Sequence, residues 1–329
     1  MAAVLTLRRH HLLAAADTRP VGVFADRAVG LRRAELVGGH CGSVHMGLGL
    51  VELEQGWIDG HVHSHEEGFY ILEGEPVLYL DGRGVRLRPG ACGVIPVGVA
   101  HAWRSGVLAR WIDMRAPRPR DPDQPTDTFV LGPTPEVEPG ELDIRDPRNR
   151  NLFLLADADM DLDRLKAGAS LGAPTVSASM ATAALAYSGI TVKMLVDQRT
   201  DAQLSTMFMV DYQPGAVAHP HDHPFEEAYY MLAGEVDVVA DEHRYTLRPG
   251  DTFWTAVGCI HAFYETQGGH VRWLETSAPG PPNRHSYRFQ RDWQYLQQQL
   301  ADGAGRQPTG NGAGRVRAGR AGSSDRATG

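Results

Sequence analysis

Eight residues of types that bind metal ions recur along the chain in two sets with the same internal spacing. Every member of the second set lies 160 residues after its counterpart in the first. The two sets are His61, His63, Glu67 and His101, then His221, His223, Glu227 and His261. Three imidazoles and one carboxylate suit a divalent metal ion far better than a hydrophobic core. The spacing therefore predicts a duplicated metal site.

The sequence between these residues repeats as well. Residues 61–101 align with residues 221–261 without a gap and share 16 identities in 41 positions. The similarity continues into RWIDMRAP and RWLETSAP, where the offset becomes 162. A chain of 329 residues with 42% hydrophobic residues is long enough for two domains. Duplication of one domain is the simplest account.

Comparison of the two copies separates shared histidines from incidental ones. In a strand, residues two apart face the same side, so both histidines of each His-X-His pair can point into one interior. The same alternation would point His65 inward, but its counterpart is Phe225. Similarly, His219 corresponds to Asp59. Three histidines therefore recur in each copy, and the carboxylate of Glu67 recurs with them as Glu227.

Strand signals dominate both copies. Residues 68–80 and 228–239 are rich in β-branched, aromatic and aliphatic residues, and each run is interrupted by a Gly-Glu turn. Each copy then reaches an Arg-Pro-Gly turn. Short strands with regular turns predict an antiparallel sandwich or barrel.

The two motifs resemble those of a bicupin of the cupin superfamily. In the first copy they read HVHSHEEGFYILEG and GACGVIPVGVAH, and the second copy has both motifs at the same separation of 15 residues. The departures from the family pattern are the short spacing after Gly56, Ala256 in place of proline, and Ser105 and Glu265 in place of the final asparagine. The resemblance implies an all-β fold of two double-stranded β-helix (jelly-roll) barrels. It also implies that the eight recurring residues are the metal ligands.

The predicted organisation has five parts. They are a first barrel over 20–117, a linker and packing segment over 118–180, a second barrel over 181–290, a terminal helix over 291–302 and a disordered tail over 303–329. The tail contains no Leu, Ile or aromatic residue, so it buries too little apolar surface to fold. Within the linker, the stretch LFLLADADMDLDRLKAG is interpreted as one helix.

The ligand set favours a mid-row divalent metal without selecting one. Fe(II) is favoured through the resemblance, and Mn(II), Zn(II), Ni(II) and Cu(II) fit the same donors. Four protein ligands on a six-coordinate ion leave two positions for substrate, dioxygen or water.

Residues around the ligands follow from strand parity. The predicted pocket residues are Phe69, Ile71 and Trp103 in the first copy and Tyr229, Met231 and Phe263 in the second. Asp113 and Glu275, together with the ligands Glu67 and Glu227, are the candidate catalytic carboxylates. An alternative is that Asp113 and Glu275 pair with Arg110 and Arg272 at the barrel rim.

The composition indicates which kinds of binding partner and which cellular compartment to expect. The net charge of −8 argues against nucleic acid. Three widely spaced cysteines without a CxxC pair suggest a reducing compartment. Neither a signal peptide nor an apolar run of roughly 18 residues is present, so a soluble cytoplasmic protein without a membrane partner is expected, as monomer or homodimer.

The leading functional hypothesis is a metal-dependent dioxygenase. Its substrate would be a small, metal-chelating organic molecule, aromatic or oxygenated, with O2 as second substrate. One alternative is a non-oxidative Mn or Zn cupin enzyme, such as a decarboxylase, hydrolase, isomerase or cyclase. Another is a cupin that binds a ligand without turnover.

Overall fold

The computed structural model describes residues 8–24, 26–120, 127–160, 187–265, 269–280 and 288–289. In these ranges the chain is mostly β-structure, and its helical segments are 3-10 turns of three or four residues. The turns are Ala15–Asp17, Gly39–Cys41, Pro147–Asn149, Asp157–Met160 and Gln198–Thr200. No helix in the described ranges has the length and apolar character needed to cross a membrane. The predicted all-β class is confirmed.

The first barrel is formed by a twelve-stranded sheet. Its strands are β2 (Val21–Gly22), β3 (Ala28–Val37), β4 (Gly47–His63), β5 (Glu66–Glu73), β6 (Val77–Leu80), β7 (Arg83–Arg86), β8 (Ala91–Ile95), β9 (His101–Ser105), β10 (Ala109–Ala116), β11 (Thr128–Gly132), β12 (Gly140–Glu141) and β13 (Leu152–Leu154). The main path of the sheet runs β12-β7-β6-β9-β4-β10-β5-β8-β13. Pairing of strands distant in sequence, such as β4 with β9 and β10, is typical of a jelly roll.

The second barrel repeats this arrangement with a ten-stranded sheet. Its strands are β1 (His10–Leu13), β14 (Tyr187–Val196), β15 (Thr206–Asp222), β16 (Glu226–Ala233), β17 (Val236–Ala240), β18 (His243–Leu247), β19 (Thr252–Thr255), β20 (His261–Glu265), β21 (Val271–Ala278) and β22 (Arg288–Phe289). Strand β15 pairs with β20 and β21 as β4 does with β9 and β10. The two predicted barrels are therefore present.

Segments outside the repeats complete the sheets. Strand β1, at the start of the chain, pairs with β19 of the second barrel, and β13 pairs with the equivalent strand β8 of the first. Thus the segment interpreted as linker contributes β11, β12 and β13 to the first sheet. The prediction of a helix from residue 152 onward is wrong for its first residues, because Leu152–Leu154 is a strand that pairs with β8. The predicted terminal helix and tail lie outside the described residues.

Strand β10 shows how the sequence builds both faces of the barrel wall. Alternate residues point in opposite directions, so Trp111 packs inside the first barrel while Ile112 and Met114 join a cluster between the barrels. Met207 and Leu274 of the second barrel pack in the same cluster. Because both faces of β10 are covered, the strand is buried almost throughout.

Two buried glutamates link the barrels reciprocally. Glu66 accepts hydrogen bonds from the backbone N–H groups of Gln203 at 2.7 Å and Leu204 at 3.2 Å in the second barrel. Glu226 accepts from the backbone N–H of Val44 at 2.8 Å in the first barrel. Each glutamate directly precedes a predicted metal ligand, and neighbouring residues of a strand face opposite sides. The same dipeptide therefore serves the barrel interior and the contact with the other barrel.

Candidate metal centres

The strand register brings the predicted ligands of the first barrel together. His61 and His63 are two apart at the end of β4, and His61 lies opposite His101, the first residue of β9. Glu67 enters from β5 after a tight turn. The side chains of all four residues are buried.

The candidate ligands of the first barrel lie close to one another. The candidate donor atoms of the three histidines lie within 4.8 Å of one another. His63 Nε2 lies 3.0 Å from Glu67 Oε2. Donors at about 2.1 Å from a six-coordinate ion are roughly 3 Å apart when adjacent and roughly 4 Å apart when opposite. The contact of His63 with Glu67 falls in this range, and the 4.8 Å limit for the three histidines is somewhat wider.

In the second barrel the donor atoms of His223, Glu227 and His261 lie within 4.8 Å of one another, and His221 stands outside this group. His223 Nε2 lies 2.8 Å and His261 Nε2 lies 3.8 Å from Glu227 Oε2. The rings of His221 and His261 are 4.4 Å apart, whereas those of His221 and His223 are 6.2 Å apart. In addition, the Tyr229 hydroxyl donates to Glu227 Oε2 at 2.6 Å and lies 3.0 Å from His261 Nε2.

Hydrogen bonds fix the orientation of the six imidazoles. In five of them Nδ1 faces a backbone carbonyl oxygen, which only accepts, so Nδ1 carries the proton and Nε2 keeps its lone pair. The carbonyls belong to Asp59, Val99, His219, Phe225 and Cys259, at 2.6 to 3.0 Å. The sixth, His63 Nδ1, lies 2.9 Å from the Thr128 hydroxyl. Such outer partners are typical of histidines that ligate metals.

The protonation chemistry also fits a cation. Burial is the largest cause that lowers the pKa of His61 to about 2 and those of His101 and His261 to about 4, so these rings are neutral and able to ligate. Burial alone would raise the pKa of Glu67, but the contact with His63 lowers it well below its usual value, so the carboxylate is ionised and able to ligate. Among the described residues His101 Nε2 is buried and has no hydrogen-bond partner. A metal ion would satisfy that lone pair.

The family follows once this geometry is compared with known proteins. A family model described as "Cupin domain" matches residues 49–114 and 208–277, one match in each barrel. The chain is a bicupin. A search of curated proteins finds no match to the sequence.

Solved structures show the same two-barrel fold. Salicylate 1,2-dioxygenase from Pseudoaminobacter salicylatoxidans aligns with a TM-score of 0.60 at 16% identity over 82% of each chain. Oxalate decarboxylase from Bacillus subtilis aligns at 0.56 and 16%, over 88% of this chain and 82% of that one. Oxalate decarboxylase from Lactobacillus farciminis aligns at 0.57 and 15%, over 88% and 92%. At these identities the similarity establishes the fold of the bicupin.

The histidine that the repeat comparison set aside has a packing role matched in both barrels. His65 stacks on His63 with ring centroids 4.2 Å apart and an interplanar angle of 19°. Phe225 stacks on His223 at 4.1 Å and 5°. Each ring therefore covers one face of the second histidine of the His-X-His pair.

A small cavity of about 30 Å³ opens on the candidate ligands of the first barrel. Its wall includes Trp103, as expected, and the buried carboxylate Asp113. Asp113 is held by Arg33 through contacts of 2.8 to 3.1 Å and by Arg115 Nη2 at 2.8 Å. The suggested pairing of Asp113 with Arg110 is wrong, because Arg110 faces outward to Glu52 and Glu73.

A similar cavity of about 30 Å³ lies in the second barrel. Tyr229 and Phe263 line it, together with Glu275. Glu275 Oε2 accepts a hydrogen bond from Trp273 Nε1 at 2.9 Å, and burial together with the nearby charge of Glu227 raises its pKa well above the usual value. The alternative pairing of Glu275 with Arg272 is wrong, because that arginine bonds Asp211 and Asp157.

The other predicted pocket residues lie in the barrel cores. Phe69 and Ile71 are fully buried in the interior of the first barrel, where Phe69 packs edge-on against Trp103 at 5.1 Å. Met231 lies in the corresponding cluster of the second. These three support the cavity walls without lining them. Arg33 and Arg115 were not selected from the sequence, although RWIDMRAP differs from RWLETSAP at Arg115.

Proposed function

We propose that this bicupin is a metal-dependent dioxygenase for a small, metal-chelating organic substrate, with chemistry in the first barrel. The salicylate dioxygenase and the oxalate decarboxylases share one fold and differ in reaction, so the proposal rests on the site. The residues that would hold the ion are His61, His63, Glu67 and His101. The ion, with two positions left by the protein, would bring substrate oxygens and dioxygen side by side.

The main support for the proposal is that two arginines hold the carboxylate of Asp113. Hydrolysis, isomerisation and cyclisation usually need a carboxylate or histidine free to move a proton. Apart from the ligand Glu67, Asp113 is the one carboxylate among the described residues that line the first cavity. Arg33 and Arg115 both bind it, and its side chain is fully buried. The first site therefore favours chemistry in which the substrate and dioxygen supply the reactive groups.

The wall of the first cavity suits such a reaction. Trp103 and Trp111 stack with centroids 4.8 Å apart, and Leu31, Val51 and Ile58 complete an apolar surface. An apolar wall excludes bulk water and gives an aromatic or aliphatic substrate a complementary surface. The role of the chain is then to orient the substrate and to limit competing hydrolysis.

A second function is favoured by one observation in the other barrel. Glu275 is buried beside Glu227 and its raised pKa favours the protonated acid, which can give a proton to a bound substrate. The Tyr229 hydroxyl lies in the same cavity. We therefore propose non-oxidative, Lewis-acid chemistry as the alternative function, located in the second barrel.

The test begins with protein purified without oxygen and analysed for metal. Oxygen consumption is then followed with catechols, flavonols, diketones and hydroxy acids. The proposal predicts consumption that depends on the metal, that Glu67→Gln abolishes and that the matched variant Glu227→Gln leaves in place. Tightly bound zinc together with no oxygen uptake on any chelating substrate would overturn it. Product formed without oxygen and lost in Glu275→Gln would favour the alternative.

A further inference from the structure

We propose that the first cavity recognises a small organic carboxylate, whose carboxylate group pairs with Arg115 while a second oxygen of the same molecule faces the metal ligands. The inference deepens the proposed function, on which it rests, by naming the substrate class of that site.

The strand register places Arg115 beside the candidate metal ligands. It lies directly opposite the ligand Glu67 in the pairing of β10 with β5. Side chains at directly opposed positions on one face have Cβ atoms about 5 Å apart. The guanidinium is thus placed where a molecule that touches the ligand sphere also reaches it.

The guanidinium of Arg115 retains hydrogen-bonding capacity. The residue is 7% exposed and lines the cavity. Its Nη2 donates to Asp113, whereas its Nε has no hydrogen-bond partner among the described residues. A buried donor without a partner costs free energy, and a carboxylate supplies the missing acceptor in the planar geometry that a guanidinium prefers.

Apart from the candidate metal ligands, the cavity contains one more positive than negative side chain. Arg33 and Arg115 share the single counter-ion Asp113. Arg33 already makes a forked contact with Asp113, so Arg115 is the cation left for a ligand. Binding of a divalent ion by the three histidines and Glu67 adds further positive charge. Such a cavity favours an anion, since an uncompensated buried charge is unfavourable.

The first barrel is shaped to hold these arginines. A Cβ atom at Gly49 would lie 2.4 Å from the guanidinium of Arg33, so only glycine leaves the space that this arginine occupies. In the second barrel the register puts Phe208 at the matching position, opposite Glu275 as Gly49 is opposite Asp113.

The remaining equivalent positions of the second barrel are also uncharged. Val192 pairs with Val210 as Arg33 pairs with Val51, and Ser277 lies opposite Glu227 as Arg115 lies opposite Glu67. The described lining of the second cavity contains no arginine or lysine. The difference between the barrels is therefore a replacement of two cations by apolar and small side chains.

The experiment compares an acid with its neutral analogue on the metal-loaded full chain, under nitrogen. Binding of benzoate and of benzamide is measured by isothermal titration calorimetry. We expect benzoate to bind at least about tenfold more tightly, as one charge-assisted contact predicts. Arg115→Gln should remove that preference, whereas Arg110→Gln, on the same strand but facing outward, should keep it. Metal content is measured on every variant.

The outcomes separate this inference from the proposed function. Equal affinity of the wild-type protein for benzoate and benzamide overturns the inference and needs no variant to fold. A benzoate preference that survives in Arg115→Gln at unchanged metal content also overturns it. Loss of the preference in Arg115→Gln but not in Arg110→Gln supports it. Because no turnover is measured, a carboxylate site established in this way stands even where oxygen uptake fails.

Discussion

Removal of Glu226 tests whether the two barrels depend on each other for stability. Its buried carboxylate accepts hydrogen bonds from Val44 N at 2.8 Å, His45 N at 3.3 Å and the Ser43 hydroxyl at 2.5 Å. Glu226→Ala leaves these donors, which belong to the other barrel, without their acceptor. Glu66→Ala does the same to the loop that begins at Gln203.

The expected magnitude follows from these bonds. A hydrogen bond to a charged group contributes about 1.5 to 3 kcal/mol, and a buried donor left without a partner costs about 1 to 3 kcal/mol. Since Ser43 can still donate to Met46 O at 2.7 Å, two backbone donors carry most of the loss. We therefore expect Glu226→Ala to lower the free energy of unfolding by about 3 to 5 kcal/mol, and Glu66→Ala by a similar amount.

Urea unfolding followed by circular dichroism measures the change in the free energy of unfolding. The control is Glu54→Ala, because Glu54 is an exposed residue of the first barrel. The control should stay within about 0.5 kcal/mol of the unmodified protein. The double variant should lose less than the sum of the two single losses, because both glutamates stabilise one interface. Either single variant with the same stability as Glu54→Ala would show that these hydrogen bonds do not stabilise the contact between the barrels.

Two further predictions concern the first barrel and the cysteines. Gly49→Ala should displace the Arg33 guanidinium and lower the free energy of unfolding, measured in urea, by about 3 to 5 kcal/mol. The control Gly106→Ala should leave the stability unchanged, because a Cβ atom there would have no atom within 4 Å. Equal losses in the two variants would contradict this prediction. Burial raises the pKa of Cys259 to about 12 and also raises that of Cys41, which is only half-buried. Because Cys41 is the more accessible of the two thiols, iodoacetamide at neutral pH should alkylate it first. Mass spectrometry that finds Cys259 modified as fast in folded as in unfolded protein would contradict this prediction.

The fold and the ligand clusters could be predicted because the chain contains its own alignment. Residues shared by the copies stood out, and strand parity placed the His-X-His pairs on inner faces. The comparison also set aside His65, which the structure places as a stacking partner of His63. Metal binding by these clusters stays a prediction.

Comparison of the two copies did not identify functional residues that occur in only one of them. Arg33 and Arg115 shape the first cavity but have Val192 and Ser277 as counterparts, so a search for shared residues discards them. Their contact with Asp113 joins strands β3 and β10, far apart in the sequence. Differences between duplicated sites therefore carry information about ligands that the shared residues lack.

Short edge strands were also missed. Leu152–Leu154 carries too few residues to show an alternating pattern, and its pairing with β8 decides its conformation. Glu66 and Glu226 recur in both copies, but their partners lie in the other barrel and no local pattern indicates them.

The most direct test of the account is the number of metal ions bound by each cluster. Inductively coupled plasma mass spectrometry on the purified full chain should find one divalent ion per cluster, with one lost in His101→Ala and the other lost in His261→Ala. His40→Ala, at an exposed histidine, should bind as much metal as the unmodified protein. Metal content unchanged in both His101→Ala and His261→Ala would contradict the central claim that each barrel holds an ion through its own three histidines and glutamate.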